Sequence, residues 1–234
     1  MDLLYPVKKT QTNEELRYSF RSLSNIRHDK VIIVGDLPDW VNTKTVYYIP
    51  TEKLSNRYET TTNNIKLACQ NKELSDDFIL MNDDFFFIEP TTIHDLNKNR
   101  GLLQDTVKFY HKTRKLLTNY DKNVEKACNE LKELGFNNPI SFELHAPMII
   151  NKQNFLSIVD KLTDEALHCC KRSVYGNYFI KDSTAIDDVK VLSFKPLDVV
   201  LKSNPKVISV SRCCLEQIKP FLQNKFPSKS IYEK

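Results

Sequence analysis

The stretch Phe78-Ile-Leu-Met-Asn-Asp-Asp-Phe-Phe-Phe-Ile88 constrains the chain more than any other. Two apolar runs, each suited to an interior strand, flank three polar residues, Asn82, Asp83 and Asp84. Charged side chains at such a break are costly unless something binds them. Paired carboxylates at a strand end suit a hard divalent cation, and such a cation is commonly shared with phosphate oxygens. Asn82 would add an amide oxygen or hold the turn. Asn and Asp also favour tight turns, so a hairpin joining the two runs is the competing reading.

Around this stretch, strand-like and helix-like segments alternate. Asp2 to Val7 reads as a first strand, Val31 to Val34 as a short apolar strand, Val46 to Ile49 as a third, and Phe78 to Met81 as a central one. Thr12-Asn-Glu-Glu15 has the spacing of a capping box and announces a helix in which Leu16, Phe20 and Leu23 share a face. Asn63 to Cys69 reads as a short helix. This alternation predicts an α/β domain with a mostly parallel sheet flanked by helices.

Asn97 to Phe136 differs. It is rich in Lys, Val124, Cys128, Leu131 and Leu134 recur at helical spacing, and Gly135 is a natural stop. We read about 97–136 as a helical insertion, either a cover for the site or an oligomer interface. Ser141 to Ile150 then reads as a strand into a Pro-marked turn, followed by a helix over Lys152 to Leu162. Tyr175 to Ile180, Val189 to Phe194 and Lys206 to Val210 read as late strands. Cys214 to Phe226 closes the chain as an amphipathic helix with Leu215, Ile218 and Leu222 on one side. No repeat, low-complexity stretch or long linker divides residues 1–234, so one domain is expected.

Composition narrows the function classes. With 41% hydrophobic and 27% charged residues, the chain has the makings of a globular core. Its 4 glycines cannot write GxGxxG or GxxxxGK[ST], which removes the glycine-rich phosphate loops. A net charge of +4 helps attract an anionic substrate but does not by itself indicate nucleic-acid binding. None of the 6 cysteines forms a CxxC, so a zinc site is not expected. Reduced thiols in a cytoplasmic protein are the simplest reading. No apolar run is long enough to span a membrane, and the first residues lack the pattern of a signal peptide.

Other residues carry candidate chemistry. Arg17 and Arg21 lie four apart on the first helix and point the same way. An anion between them would turn repulsion into binding, since guanidinium forks suit phosphate. Two solvated arginines are the plainer alternative. Lys8 and Lys9 follow the first strand, at the end where open α/β sheets bind ligands. His145, in Glu-Leu-His-Ala-Pro, sits at a strand end before a proline and suits a general base, a phosphate contact or a metal ligand. A hydrogen-bonded structural histidine is the bland reading. Arg172, Tyr175 and Asn177 combine a cation with aromatic faces that would grip a phosphate and stack a base, unless they form a turn before a strand. Trp40, the only tryptophan, is a stacking platform or a core anchor.

Several of these segments occur together in a known order. Asn-Glu-Glu-Leu-Arg-Tyr-Ser-Phe-Arg-Ser-Leu (13–23), Val-Ile-Ile-Val-Gly with Pro-Asp-Trp (31–40), Phe-Ile-Leu-Met-Asn-Asp-Asp-Phe-Phe (78–86) and Glu-Leu-His-Ala-Pro (143–147) resemble the Stealth family. These are capsule-polysaccharide sugar-phosphate transferases related to the lysosomal-enzyme N-acetylglucosamine-phosphotransferase. The tail, with Ser209-Val-Ser, Phe-Pro-Ser (226–228) and Ile-Tyr-Glu (231–233), looks like compact bacterial and phage relatives. The resemblance implies a glycosyltransferase-A-like fold, a uridine-diphosphate sugar donor and Mg²⁺ or Mn²⁺. It also implies that Asp83 and Asp84 match metal-binding acids, Arg17 and Arg21 the basic helix of the donor pocket, and His145 the active-site histidine.

The expected activity is therefore transfer of a sugar or a sugar-1-phosphate to an acceptor hydroxyl on a glycan. His145 and Asp84 would carry the chemistry, and Lys8, Arg17, Arg21 and Arg172 would hold the donor. Two alternatives stay open: a transferase acting on modified bases of phage DNA, and a non-catalytic carbohydrate-binding module on the same fold.

Overall fold

The computed structural model describes residues 1–234. Four strands, β1 (Asp2–Val7), β2 (Val31–Gly35), β3 (Val46–Pro50) and β4 (Asp77–Leu80), run parallel in one sheet. The chain then makes β5 (Phe85–Phe87) and the short β6 (Lys98–Asn99) before β7 (Met148–Asn151) returns to lie antiparallel against β4. The order is β3-β2-β1-β4-β7. After β8 (Thr184–Ala185), which pairs with β6, come β9 (Lys190–Val191) and β10 (Val207–Val210). These two and β5 form a second sheet, ordered β5-β10-β9.

The acidic turn is therefore not a hairpin. β4 and β5 do not pair with each other: the chain leaves the first sheet at Leu80 and enters the second at Phe85. Asn82, Asp83 and Asp84 stand at the junction of the two sheets.

Helices cover both faces of the large sheet, which is why its strands are apolar almost throughout. α1 (Glu14–Ser22) lies on one face. α2 (Arg57–Gln70), α3 (Leu103–Thr113), α4 (Asn119–Glu133), α5 (Lys152–Ser157) and α6 (Asp164–Phe179) build the other. α7 (Leu197–Leu201) and α8 (Leu215–Lys225) pack on the second sheet. The period-2 alternation of strands sorts residues between layers. Leu4, Ile32, Phe78 and Leu80 face α2 and α6, whereas Leu3, Tyr5, Ile33 and Ile79 face α1 with Phe85 and Phe87. Between those two phenylalanines, Phe86 points into a third core with Ile208 and Leu222. No helix is long and apolar enough to cross a membrane.

Several sequence expectations change. The capping box at Thr12–Glu15 does not form. Asn13 takes a left-handed conformation with φ 45° and turns its side chain back, accepting from the Thr10 amide at 2.8 Å and donating to the Lys8 carbonyl at 2.9 Å. Tyr175 to Ile180 is not a strand: residues through Phe179 are the last turns of α6. Its β-like composition yields to tertiary packing, since Val174 is fully buried and a Cβ at Gly176 would lie 2.3 Å from the Phe142 ring. The helix expected to reach Leu162 ends at Ser157. The Lys-rich segment does fold into helices, but α4 buries Val124, Cys128 and Leu131 in the main core against α6, leaving only Leu134 of that row exposed.

Candidate functional site

In an open parallel sheet, loops at the carboxyl ends of the strands are free to hold ligands. Here the ends of β1, β2 and β3 meet the start of α2 around a cleft of about 240 Å³ lined by Lys8, Gly35, Asp36, Lys53 and Arg57. Gly35 has φ 111°, and a Cβ there would stand 2.4 Å from the Val7 carbonyl oxygen, so the close approach of β1 and β2 requires glycine. Asn56 caps α2, accepting from the amides of Tyr58 at 3.0 Å and Glu59 at 2.9 Å. Lys8 is exposed at the rim of this cleft.

β4 ends on the same edge and delivers the acidic turn. One oxygen of Asp84, Oδ2, accepts from Ser209 Oγ at 2.9 Å and from Lys190 Nζ at 3.2 Å. The other, Oδ1, is buried and has no partner. Asp83 is its neighbour in chain and in charge. Burial, with Asp84 and then Glu15 pressing in the same direction, pushes the Asp83 carboxyl up to about 7. Of the two acids, only Asp84 has a lysine bonded to it.

His145 follows from the opposite side. Its Nδ1 lies 2.8 Å from Asp188 Oδ2 and its backbone amide 3.4 Å from Asp188 Oδ1. Burial raises Asp188, but the hydrogen bond and charge of His145, with Arg100 beyond, pull its carboxyl down to about 2. With Nδ1–H directed at Asp188, Nε2 is left as the free ring nitrogen, and the imidazole is 38% exposed and so accessible. Lys190 ties the two halves together, because its amide donates to Asp188 Oδ1 at 3.3 Å while its ammonium reaches Asp84.

Arg172, on α6, lies behind this network. It donates to the Ala146 carbonyl, its guanidinium carbon is 5.9 Å from the Phe85 ring, and its Nε is buried without a partner. Burial lowers its proton affinity, while Glu143, Asp188 and Asp84 act to hold its charge. Tyr175 and Asn177 serve the fold rather than a ligand: the Tyr175 hydroxyl accepts from the Asn151 amide, and Asn177 bridges both backbone groups of Ile140.

Arg17 and Arg21 do not reach this site as free anion ligands. Arg21 clasps Glu233 through two bonds of 2.8 Å, Nε to Oε1 and Nη2 to Oε2, and Arg17 reaches Oε2 at 3.3 Å. The Glu233 side chain is completely buried. Trp40 is part of the same assembly, stacked beneath the Arg17 guanidinium at 4.1 Å with its Nε1 donating to the Thr12 carbonyl. Of the two readings for that tryptophan, core anchor fits its surroundings.

Sequence reasoning passed over Asp188, Lys190, Ser209 and Glu233 as site or partner residues. The signal for Asp188 was a second acidic pair, Asp187-Asp188, before a short apolar segment; the signal for Lys190 was nil, since surface lysines abound. Nothing local marks Glu233 as the partner of two arginines more than two hundred residues away.

The residues at the junction fit a divalent cation in number and kind. No group of three or more His, Cys, Asp and Glu side chains is preassembled. Magnesium and manganese nevertheless take one or two protein carboxylates and complete their shell from water and substrate phosphates. Asp83 and Asp84 are a pair of that kind, and Asp84 Oδ1 is a buried acceptor without a hydrogen-bond partner. No protein-family model matches the sequence, and no curated protein matches it either.

Proposed function

We propose that the protein is a metal-dependent transferase that moves a sugar or a sugar-1-phosphate from a nucleotide-diphosphate sugar to an acceptor hydroxyl. The observation that carries this reading is the unpartnered, buried Oδ1 of Asp84 beside a second acid held near neutrality, both at the carboxyl edge of a parallel sheet. The oriented His145–Asp188 pair across the junction supports it, as does the sequence resemblance to the Stealth transferases.

Asp83 and Asp84 would hold Mg²⁺ or Mn²⁺. Such a cation, when bound, neutralises a diphosphate and stabilises the leaving phosphate. The chain's own residues do the rest. Lys190, already on Asp84 at 3.2 Å, adds a positive charge beside the phosphate position. His145 Nε2 accepts the proton of the acceptor hydroxyl, and Asp188 holds the ring tautomer and stabilises the imidazolium that results. Arg172 fixes the strap that carries His145 by binding the next carbonyl, that of Ala146. The cleft at the ends of β1, β2 and β3 lies along the same edge and is the natural seat for the nucleoside, with Lys8 and Arg57 in its lining for phosphate, while Lys53 is paired with Asp36 at 3.1 Å. Arg17 and Arg21 have no donor-binding role in this scheme, since Glu233 engages both. A glycosyltransferase-A-like ancestry is consistent with a mixed sheet followed by a smaller one.

The test is titration calorimetry with UDP, UDP-glucose and UDP-N-acetylglucosamine, with Mn²⁺ and with chelator, on the wild type and on Asp84→Asn. Metal-dependent binding that the substitution abolishes is expected. Absence of binding by any nucleotide sugar, with the fold intact by circular dichroism, sinks the reading. Released UMP indicates sugar-phosphate transfer, and released UDP indicates glycosyl transfer.

A further inference from the structure

The chain carries two pairs of adjacent cysteines, and the fold treats them in opposite ways. Cys169 and Cys170 lie inside α6, buried in the main core. Burial pushes the Cys169 thiol up and the Cys170 thiol well up, so both stay protonated and unreactive. Cys69 and Cys128 are buried in the same core, and burial raises them as well. Cys213 and Cys214 sit instead in the short helical turn Arg212–Cys214 that joins β10 to α8. Of the six cysteines, Cys213 alone is exposed.

Neighbouring side chains on a regular helix point about 100° apart. This turn brings its two sulfurs together instead, with Cys213 Sγ 3.7 Å from Cys214 Sγ. The backbone holds that arrangement. The Ser211 amide donates to the Val191 carbonyl at 3.0 Å, which ties the turn to β9, and the Cys214 amide donates to the Ser211 carbonyl at 2.8 Å. The Ser211 hydroxyl lies 3.2 Å from the Cys213 sulfur. Hydrogen bonds from Ser211 and then from Cys214, with the Lys190 ammonium adding a favourable charge, hold the Cys213 thiol below its ordinary value. The thiolate so favoured is the nucleophilic form of the side chain.

We propose that Cys213 is a site of oxidation by peroxide and that Cys214 resolves it, closing a reversible disulfide between the two neighbours. The Cys213 thiolate attacks one peroxide oxygen. The O–O bond breaks, the sulfur becomes a sulfenic acid, and the second oxygen leaves as water with the thiol's proton. The Cys214 sulfur then attacks the Cys213 sulfur. The S–O bond breaks, the S–S bond forms, and the hydroxyl leaves as water with the Cys214 proton. Two thiols thus give two electrons and two protons to one hydrogen peroxide, and the products are one disulfide and two waters. Adjacent Cα atoms are about 3.8 Å apart, against about 4.4–6.8 Å in ordinary disulfides, so this bond closes under strain and yields readily to dithiol reductants. The chemistry needs neither a metal nor a nucleotide sugar, so it stands or falls apart from the transferase reading.

Peptide mapping by mass spectrometry tests it: the full chain is treated with a small excess of hydrogen peroxide, alkylated with iodoacetamide and digested. The peptide spanning Cys213 and Cys214 should lose two hydrogens and regain them with dithiothreitol, while Cys69, Cys128, Cys169 and Cys170 stay reduced. In Cys214→Ser the reaction should stop at the sulfenic acid, trapped by dimedone on Cys213. In Cys213→Ser the same dose should leave Cys214 unoxidised. Circular dichroism checks each variant, and Cys214→Ala replaces Cys214→Ser where the buried hydroxyl disturbs the fold. Earlier oxidation of a core cysteine overturns the proposal. So does a disulfide between the Cys213 residues of two copies in place of the internal bond. Equal progress to sulfinic acid in the wild type and in Cys214→Ser also overturns it, because Cys214 then resolves nothing. A Cys213 left unmodified at a dose that oxidises glutathione is equally fatal to it.

Discussion

Two clusters of acids and arginines lie on either side of α1, and they differ in one respect. Around Glu233 both carboxylate oxygens are satisfied: the fully buried carboxylate accepts three bonds from two guanidinia, and the amide and hydroxyl of Ser230 add two more. Around Asp84 the matching is incomplete. One carboxylate oxygen is bare, the adjacent acid is driven toward its neutral form, and a buried guanidinium nitrogen has no acceptor. The first cluster is closed and fastens the end of the chain to α1. The second is open, and open buried polarity is costly unless a ligand completes it. The lesson is that arginines four apart on a helix and aspartates side by side on a turn are equally conspicuous in sequence, yet only the residues they meet in three dimensions separate structure from function.

The sharpest way to break this contrast is to open the closed cluster. Glu233→Ala leaves two arginines without their carboxylate and should cost about 3–5 kcal/mol in urea unfolding. Asp84→Asn should stay within about 1 kcal/mol of the wild type by the same measurement while abolishing Mn²⁺-dependent ligand binding. Equal destabilisation by the two would erase the distinction drawn here.

Next in size is Asp188→Asn, which removes the anion that orients His145. Transfer should slow by about 10²-fold or more with donor affinity unchanged, measured in single-turnover assays. A loss of donor affinity instead would move His145 from proton transfer to donor binding.

The pH response of the two clusters should also run in opposite directions. Asp83 holds its proton to about 7 in the native state, whereas an unfolded aspartate releases it in the ordinary range near 3.8. The native state thus binds more protons in between, and its stability without metal should fall as pH rises from about 4 to 7. Mn²⁺ must displace that proton, so its affinity should rise over the same interval and level off above 7. Glu233 behaves inversely. Burial raises it, but the bonds from Arg21 and Ser230 hold it below its usual value, so its contribution is present at neutral pH and fades as pH falls through the ordinary glutamate range and below. Melting temperatures of wild type, Asp83→Asn and Glu233→Gln between pH 3 and 8 separate the two slopes.

The smallest effect is expected for Arg17→Ala. Its bond to Glu233 is the longest of the set and its side chain is 30% exposed, so the loss, including its contact with Trp40, should be about 1 kcal/mol, against more for Arg21→Ala.

Much of this protein was legible in its residues. Buried parallel strands leave continuous apolar runs, so β1, β2, β3 and β4 could be placed from sequence to within a residue or two, and the same logic located the acidic turn. The strand expected over Ser141 to Ile150 is only β7 at its end, so His145 lies in the irregular segment before that strand and not at a strand end. Alternating strands and helices of ordinary length specify an α/β sheet without further help, because each signal is local. What required the tertiary structure was every pairing across sequence. That Asp84 meets Lys190 and Ser209, that His145 meets Asp188, and that Glu233 claims Arg17 and Arg21 are contacts spanning 43 to 216 residues. The same distance effect turned Tyr175–Phe179 from a strand-like run into helix, since packing against Phe142 outweighed local propensity. Local chemistry fixes which backbone shape a segment prefers. Which charges end up satisfied, and which wait for a ligand, depends on chain closure between remote segments, and no local pattern encodes that.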